Sequence, residues 1–357
     1  MSGILTALDE EAAVELLHDM GCTDGLPVMI PTQARVDKLV LASGLDADMV
    51  LGELGPAMGI ATVEKVAIAG VMAGCKPDYM PILIAAVKAV ADPRFDLGEL
   101  QATTHCTAPL IIVNGPVRHA CTVASGFGAL GPGHRANASI GRALRLCLIN
   151  IGGGKPGVSD MALLGHPGKF SYCLAEAEED SPFPPLHTSL GFETSDSVVT
   201  VLGCEAPHSV LYSDNADDPE DAEKLLHVLS VGLANIATNN AIFCSGTALV
   251  VLGPKHADVL ARANMNRETV QRRLWELTHL PTADHDRYGQ QFGSRFTGET
   301  YCAFAEPANI LVMVAGGSGL YSMVMPNWGG ADHANSAVSA KVEDELFCAI
   351  PGLEDPN

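Results

Sequence analysis

The chain has 357 residues, of which 47% are apolar and 18% are charged, and its formal net charge is −21. This composition excludes a disordered or fibrous chain, and the negative charge would repel the phosphates of nucleic acid. The sequence contains no run of about 18 uncharged apolar residues, and its N-terminus is acidic and amphipathic, so we predict neither a membrane span nor a signal peptide. We therefore expect a cytoplasmic protein, and the apolar, weakly charged composition indicates a homo-oligomer.

The first hundred residues predict helices separated by glycine and proline. Apolar residues recur at helical spacing within 9–20, and Thr32 is a suitable N-cap for a second helix. The segments 62–73 and 79–90 are almost wholly apolar, with Gly74 to Pro77 between them. Helices with so little polar surface must be buried on more than one side.

Four aliphatic runs that lead into glycine predict buried strands, at 110–113, 197–202, 249–252 and 310–314. Helices are predicted at 138–151, 219–236 and, as a pair, within 254–277. We therefore predict an α/β fold with recurrent helix–strand units around a mixed or parallel sheet. The repetition of the units points to an internal duplication.

The predicted organisation has three parts. Residues 1–60 form a segment of helix and loop packed on the core, 61–330 form the α/β core, and 331–357 form an acidic tail. A duplicated core would divide into halves at about 61–195 and 196–330. The polar, glycine-containing segment 281–305 is predicted to be an inserted loop or lid.

Loop histidines are the main candidates for chemistry. His105, His166 and His208 lie beside Gly, Pro or Thr rather than on amphipathic helices, and Glu176 and Glu178 lie between them in the chain. Imidazole and carboxylate groups can act as general acid and base, so we assign these five residues as candidate catalytic groups. A histidine that hydrogen-bonds a backbone carbonyl is the alternative for each one.

The same residue types can bind a metal. His105, His187 and His208 are candidate ligands of a divalent transition metal such as Zn, Fe or Mn. The sequence has no HExxH spacing, and no nucleotide cofactor is predicted.

Thiols offer a second chemistry. None of the ten cysteines forms a CxxC pair, which favours free thiols. Cys75 is the candidate nucleophile, because the start of the following helix and Lys76 would stabilise a thiolate. Cys106 adjoins His105, but the two side chains would point in opposite directions in an extended segment, so we assign no catalytic role to Cys106.

Polar and glycine-rich loops are candidates for substrate binding. Thr104 adjoins His105, and Asn114 follows the first predicted strand. The string 131-GPGHRANASIGR-142 carries His134, Arg135 and Arg142, which could bind a carboxylate or phosphate. Gly317 and Ser318, in a glycine loop after the last strand, could offer backbone N–H groups to an anion.

Several strings extend along nearly the whole chain and resemble an uncharacterised family of bacterial proteins. They include 24-DGLPVMIPT-32, 62-TVEKVAIAGVMAGCKPDYMP-81, 102-ATTH-105, 108-APLIIVNGP-116 and 164-LGHPGKFSYC-173. This family is associated with small thiol or selenol proteins that carry a Sec-Gly-Ser-Cys or Cys-Gly-Ser-Cys motif. The resemblance implies that such a protein could be a partner, and no CGSC string occurs in this chain.

These observations favour an enzyme that acts on a small organic molecule by acid–base or metal-assisted lyase or hydrolase chemistry. Thiol redox or transfer chemistry at Cys75, with a small thiol or selenol partner, is the first alternative. A non-catalytic subunit of an assembly is the second.

Overall fold

The computed structural model describes residues 3–289, 296–327, 329–330 and 333–343. In chain order, the helices are α1 (Glu10–Asp19), α2 (Gln33–Ser43), α3 (Val63–Ala73), α4 (Met80–Ala91), α5 (Leu97–Ala102), α6 (Val117–Ala120), α7 (Arg135–Asn150), α8 (Leu186–Ser189), α9 (Asp221–Leu233), α10 (Asn239–Phe243), α11 (Pro254–Arg262), α12 (Arg267–Leu277) and α13 (Ala283–Arg287). The strands are β1 (Val50–Leu54), β2 (Gly59–Thr62), β3 (Ala108–Asn114), β4 (Cys173–Ala175), β5 (Val198–Cys204), β6 (His208–Leu211), β7 (Ala248–Leu252), β8 (His279–Pro281), β9 (Thr300–Cys302), β10 (Ile310–Val314), β11 (Tyr321–Met325) and β12 (Val338–Lys341).

Two four-stranded mixed sheets form the centre of the fold. Sheet 1 has the order β12-β5-β3-β4, and sheet 2 has the order β10-β7-β11-β6. In each sheet one pair is parallel, β3 with β4 and β7 with β10, and the remaining pairs are antiparallel. Two separate antiparallel pairs of strands, β1-β2 and β8-β9, lie outside these sheets.

The two sheets repeat one pattern of pairing and exchange their last strands. The chain forms β3, β4 and β5 in sheet 1, and then adds β6 to sheet 2. It later forms β7, β10 and β11 in sheet 2, and then adds β12 to sheet 1. This reciprocal exchange supports the predicted internal duplication, which stays a prediction.

The sheets pack face to face, with helices on both outer faces. In β3, Leu110 and Ile112 join an apolar cluster that also contains residues of β7 and β10, such as Leu249 and Leu311. The alternate residues of β3 face the opposite way, towards a cluster formed with α3, α4 and α7. Helices α9, α11 and α12 cover sheet 2 in the same manner. Because side chains alternate along a strand, each sheet can be buried on both faces in a four-layer arrangement.

Local signals explain where helix α3 begins and ends. Thr62 caps α3 by accepting a hydrogen bond from the backbone N–H of Lys65, and Gly74 ends the helix with φ of 82°. That left-handed conformation costs glycine nothing, which is why the apolar segment stops there.

The predicted α/β fold is confirmed, and each predicted strand is present with bounds that differ by a few residues. Helix α7 begins at Arg135 rather than at 138. The predicted acidic tail differs more, because Val338–Lys341 within it forms an inner layer of the fold as the edge strand of sheet 1. Residues 290–295 of the predicted lid, and most of the tail, lie outside the described residues. No helix in the described ranges has the length and apolarity needed to cross a bilayer.

Candidate active site

Strand β3 has candidate residues at both of its ends, and β5 decides which of them come together. Because β5 runs antiparallel to β3, Ala108 pairs with Cys204 and Asn114 pairs with Val198. The segment before β3 therefore meets the segment after β5, which places His105 beside Glu205. Asn114 is the last of the seven residues of β3. Because a strand rises by about 3.3 Å per residue, one small substrate cannot touch both of its ends.

His105 and Glu205 form a pair at the first end. The Nε2 atom of His105 lies 2.9 Å from Oε1 of Glu205, and their side chains are 16% and 27% exposed. A carboxylate can only accept, so Nε2 carries the proton of this hydrogen bond. The Nδ1 atom of His105 is buried and has no hydrogen-bond partner in the described part of the chain. This arrangement leaves Nδ1 as a proton acceptor on a ring held by a carboxylate.

The backbone beneath this pair is held by Tyr172. Its hydroxyl donates to the carbonyl oxygen of Glu205 at 2.8 Å, and its ring packs edge-on against His166. Burial raises the pKa of Tyr172 well above its usual range, so the hydroxyl stays protonated and keeps donating. Tyr172 therefore positions Glu205.

His166 supports the site and is not free to act in it. Its Nε2 lies 3.2 Å from the carbonyl oxygen of Cys204, and its Nδ1 accepts from the backbone N–H of Gly168. Burial is the main cause that lowers its pKa to about 4, so the ring is neutral at pH 7 and both nitrogens are occupied. The assignment of His166 as a catalytic group is corrected on this ground.

The glycine-rich loop 152–172, between α7 and β4, covers this end of sheet 1. Lys169 forms an ion pair of 2.7 Å with Asp160, and both side chains are largely buried. The backbone N–H of Leu163 donates to the carbonyl oxygen of Thr104, whose residue is exposed. The loop thus lies directly against the segment that carries His105.

Glu205, Lys169 and Asp160 are not among the residues predicted from the sequence. Glu205 lies in the string EAPHS, three residues before His208, and the histidine is the more evident candidate there. Lys169 and Asp160 give no signal in sequence, because their pairing depends on the path of the loop between them.

At the other end of β3, Glu176 is fully buried in a network of hydrogen bonds. Its Oε2 accepts from Asn114 at 2.6 Å and from the backbone N–H of Leu186 at 2.6 Å, and its Oε1 accepts from Arg267 at 3.1 Å. Burial raises the pKa of Glu176, while the charge of Arg267 opposes that shift. With every oxygen engaged, Glu176 is a structural carboxylate rather than a base for a substrate.

Glu178 and Asn114 belong to the same network. Glu178 accepts from the Asn114 side chain at 2.9 Å and from the backbone N–H of Gly115 at 2.7 Å, and it pairs with Arg118 at 3.0 Å. These contacts tie the turn after β3 to the segment after β4. They correct the assignment of Glu178 as a base and of Asn114 as a group for the substrate handled by His105.

The three candidate metal ligands lie apart. His187 is fully buried in α8 and lies 3.1 Å from the carbonyl oxygen of Glu193, whereas His208 is exposed at the start of β6. His105 is paired with Glu205. Within the described ranges, no group of three or more His, Cys, Asp or Glu side chains is arranged to hold a metal ion.

The two arginines proposed for substrate binding are occupied. Arg135 donates twice to the carbonyl oxygen of Gly74, at 3.1 and 2.9 Å, and so caps the end of α3. Arg142 binds Asp24 through two hydrogen bonds of 2.7 and 2.8 Å and anchors the N-terminal loop. Both assignments are corrected, because their guanidinium groups hold the fold.

The glycine loop after β10 lies with His134, away from His105. A methyl group on Gly317 would lie 2.0 Å from the ring of Phe127, and His134 lies 3.2 Å from the carbonyl oxygen of Phe127. Ser318 is exposed. Residues 126–131 (GFGALG) also match the spacing GxGxxG. They lie in the loop between α6 and α7 and do not join a strand directly to a helix as the dinucleotide fingerprint does.

Cys75 is buried rather than activated. Its Sγ donates to the carbonyl oxygen of Ser139 at 3.3 Å. Burial raises its pKa to about 12, and that effect exceeds the opposing effects of the hydrogen bond with Ser139 and of the charge of Arg135. Desolvation thus disfavours the expected thiolate at this position.

No protein-family model, no curated protein and no solved structure matches this chain. The family resemblance stated from the sequence thus stays a prediction.

We predict that replacement Arg267→Met destabilises the fold by about 3–5 kcal/mol, because it leaves the buried carboxylate of Glu176 unpaired. Without Arg267 the pKa of Glu176 rises further above its ordinary value of 4.5. A carboxyl with a higher pKa in the folded chain loses stability as the pH rises from its unfolded pKa through its folded pKa. The variant should therefore be closest to wild type at acid pH and weakest at neutral pH in urea unfolding.

The double variant Glu176→Gln/Arg267→Met is the control, since it removes both charges. It should recover part of the loss and show no such pH dependence. Equal pH dependence in both variants would contradict a structural role for this ion pair.

We also predict that iodoacetamide at pH 8 modifies Cys22 or Cys106 before Cys75 in the folded chain. Cys22 and Cys106 are partly exposed, whereas Cys75 is buried and protonated. Peptide mass spectrometry of a time course measures the order, and the urea-unfolded chain is the control in which all three react. Fast modification of folded Cys75 would restore the thiol alternative.

Proposed function

We propose that this chain is an enzyme that acts on a small organic molecule by acid–base lyase or hydrolase chemistry, with His105 as the proton carrier. The observation that carries the proposal is the pairing of His105 with Glu205, while the buried Nδ1 of His105 has no hydrogen-bond partner among the residues that the structure describes. A carboxylate on one nitrogen sets the tautomer and stabilises the imidazolium that forms when the other nitrogen takes a proton.

In this mechanism Nδ1 of His105 accepts a proton from the substrate or from an attacking water. Glu205 keeps the hydrogen bond to Nε2 and balances the new positive charge, without itself taking the proton. Lys169 lies at the same end of sheet 1, and it can donate to a developing oxyanion if its pair with Asp160 loosens. A substrate reaches Nδ1 when the loop that binds Thr104 through Leu163 moves.

Metal assistance would require ligands other than the set His105, His187 and His208, so no step here is assigned to a metal. The thiol alternative would require Cys75 to leave its buried position. The predicted small thiol or selenol partner rests on the family resemblance alone, and a chain that is inert without a partner would favour a non-catalytic subunit.

A cytoplasmic location and a homo-oligomer remain part of the proposal. The N-terminal segment supports the oligomer, because Ile4 and Leu8 are 90% and 98% exposed and α1 has no buried residue. The segment also lines an apolar cavity of about 1020 Å³ against α3 and α7. A second copy could cover these surfaces.

We predict that His105→Asn and Glu205→Gln each lower turnover by about 10²–10⁴-fold, the usual contribution of a general base and its orienting group. Turnover is found first by proton NMR, with the purified full chain and a panel of hydroxy acids, unsaturated acids, amides and esters. Dialysis against EDTA should leave the rate unchanged.

His279→Asn is the matched control, because His279 is an exposed histidine whose side chain hydrogen-bonds a backbone carbonyl, that of Glu276. It should retain the wild-type rate. Full activity of His105→Asn would disprove the assigned role, and loss of activity with EDTA would favour metal chemistry instead.

A further inference from the structure

One buried arginine near the candidate site has no acidic partner among the described residues. Arg145 lies in α7, three residues after Arg142, and is only 7% exposed. Its Nη1 donates to Oε1 of Gln101 at 3.1 Å, which is its one hydrogen bond in the described part of the chain. No carboxylate of the described residues lies within ion-pairing distance of it.

The other buried arginines each have a carboxylate partner. Arg118 pairs with Glu178 and Glu179, and Arg267 pairs with Glu176. A buried charge without a counter-ion is expensive in free energy, and proteins seldom keep one unless it has a function. Burial lowers the pKa of Arg145, while the more distant charges of Asp160 and Asp24 oppose the shift. The neutral amide of Gln101 does not replace the missing charge.

Arg145 belongs to the end of sheet 1 that carries His105. Gln101, its partner, lies in the last turn of α5, four residues before His105, and a methyl group on Gly154 of the covering loop would lie 2.6 Å from the Gln101 amide. Burial lowers the pKa values of His166 and Lys169, and the charge of Arg145 adds to both shifts, in agreement with its place at this end of sheet 1.

Arg145 differs from the other cation of the site in its partners. Lys169 already has the carboxylate of Asp160, and Glu205 is hydrogen-bonded to His105. Arg145 has no ion-pair partner among the described residues, so its guanidinium can pair with one carboxylate of a substrate. A planar guanidinium matches the two oxygens of a carboxylate.

We propose that Arg145 binds the carboxylate of a small monocarboxylic substrate at the site of His105. This inference deepens the proposed function and rests on it, because the bound carboxylate belongs to a substrate only if the chain is an enzyme. The structure thereby moves the anion-binding role from Arg142, which is held by Asp24, to Arg145 on the same helix.

The test is thermal unfolding of the full chain in a carboxylate-free buffer, with acetate and lactate exchanged for chloride at constant ionic strength. Wild type should show a saturable rise in Tm with at least one of these monocarboxylates. Arg145→Gln should weaken this response about tenfold or more, as expected for loss of a bidentate charge-assisted contact. Arg145→Lys keeps the positive charge but lacks the planar guanidinium, so it should also weaken the response. This variant tests the inference if Arg145→Gln does not fold.

Arg142→Gln is the matched control on the same helix. It should lower the Tm of the ligand-free chain, because it breaks the pair with Asp24, and still respond to the carboxylate. An unchanged response in the Arg145 variants, or no response in wild type, would overturn the inference. A larger response to inorganic phosphate than to either carboxylate would overturn the assigned ligand class.

His105→Asn separates this inference from the proposed function. The variant should bind the carboxylate as wild type does, since Arg145 is intact, even though turnover is lost. Loss of turnover without loss of binding supports both. Retained turnover in His105→Asn with the binding defect in Arg145→Gln would refute the catalytic role and leave the anion site standing.

Discussion

The buried ion pair between Glu176 and Arg267 is the constraint on which the rest of the structure depends. Glu176 follows β4 of sheet 1, while Arg267 begins α12 and also donates to the carbonyl oxygen of Val312 in sheet 2. The pair therefore joins the two sheets across the centre of the fold. Apolar contacts between the sheets are not directional, whereas a charged hydrogen bond requires one register, so this pair aligns the layers.

The candidate site follows from the direction of one strand. In a wholly parallel sheet, the residues after β5 would lie beside Asn114. Because β5 is antiparallel to β3, Glu205 instead meets His105, and the network of Asn114 is left to hold the turn after β3. Polar residues at the two ends of β3 thus have different tasks. One end is a network of charged hydrogen bonds around Glu176, and the other carries the pair of His105 with Glu205 and the guanidinium of Arg145, which has no ion-pair partner in the described part of the chain.

Sequence reasoning was accurate where the cause is local. Period, caps and glycine stops predicted α3, α4 and the strands β3, β5, β7 and β10, because each element depends on residues within a few positions. The short strands β4, β6, β11 and β12 are not among the predicted strands. The role of His105 stays a prediction. Sequence reasoning failed for His166, Arg135, Arg142 and Cys75, which are occupied or buried. The partners that occupy them lie far away in the chain, so no local pattern reveals them.

The sequence by itself determined an α/β chain with two groups of buried strands, a set of loop histidines and a strongly negative charge. These properties follow from composition and short-range periodicity. Only the tertiary structure decided that β6 and β12 exchange between the sheets, that Glu205 meets His105, and that Arg142 has an ion-pair partner while Arg145 has none in the described part of the chain. The physical reason is that counter-ions and hydrogen-bond partners are set by strand direction and loop path, and both depend on contacts between residues that lie far apart in the chain.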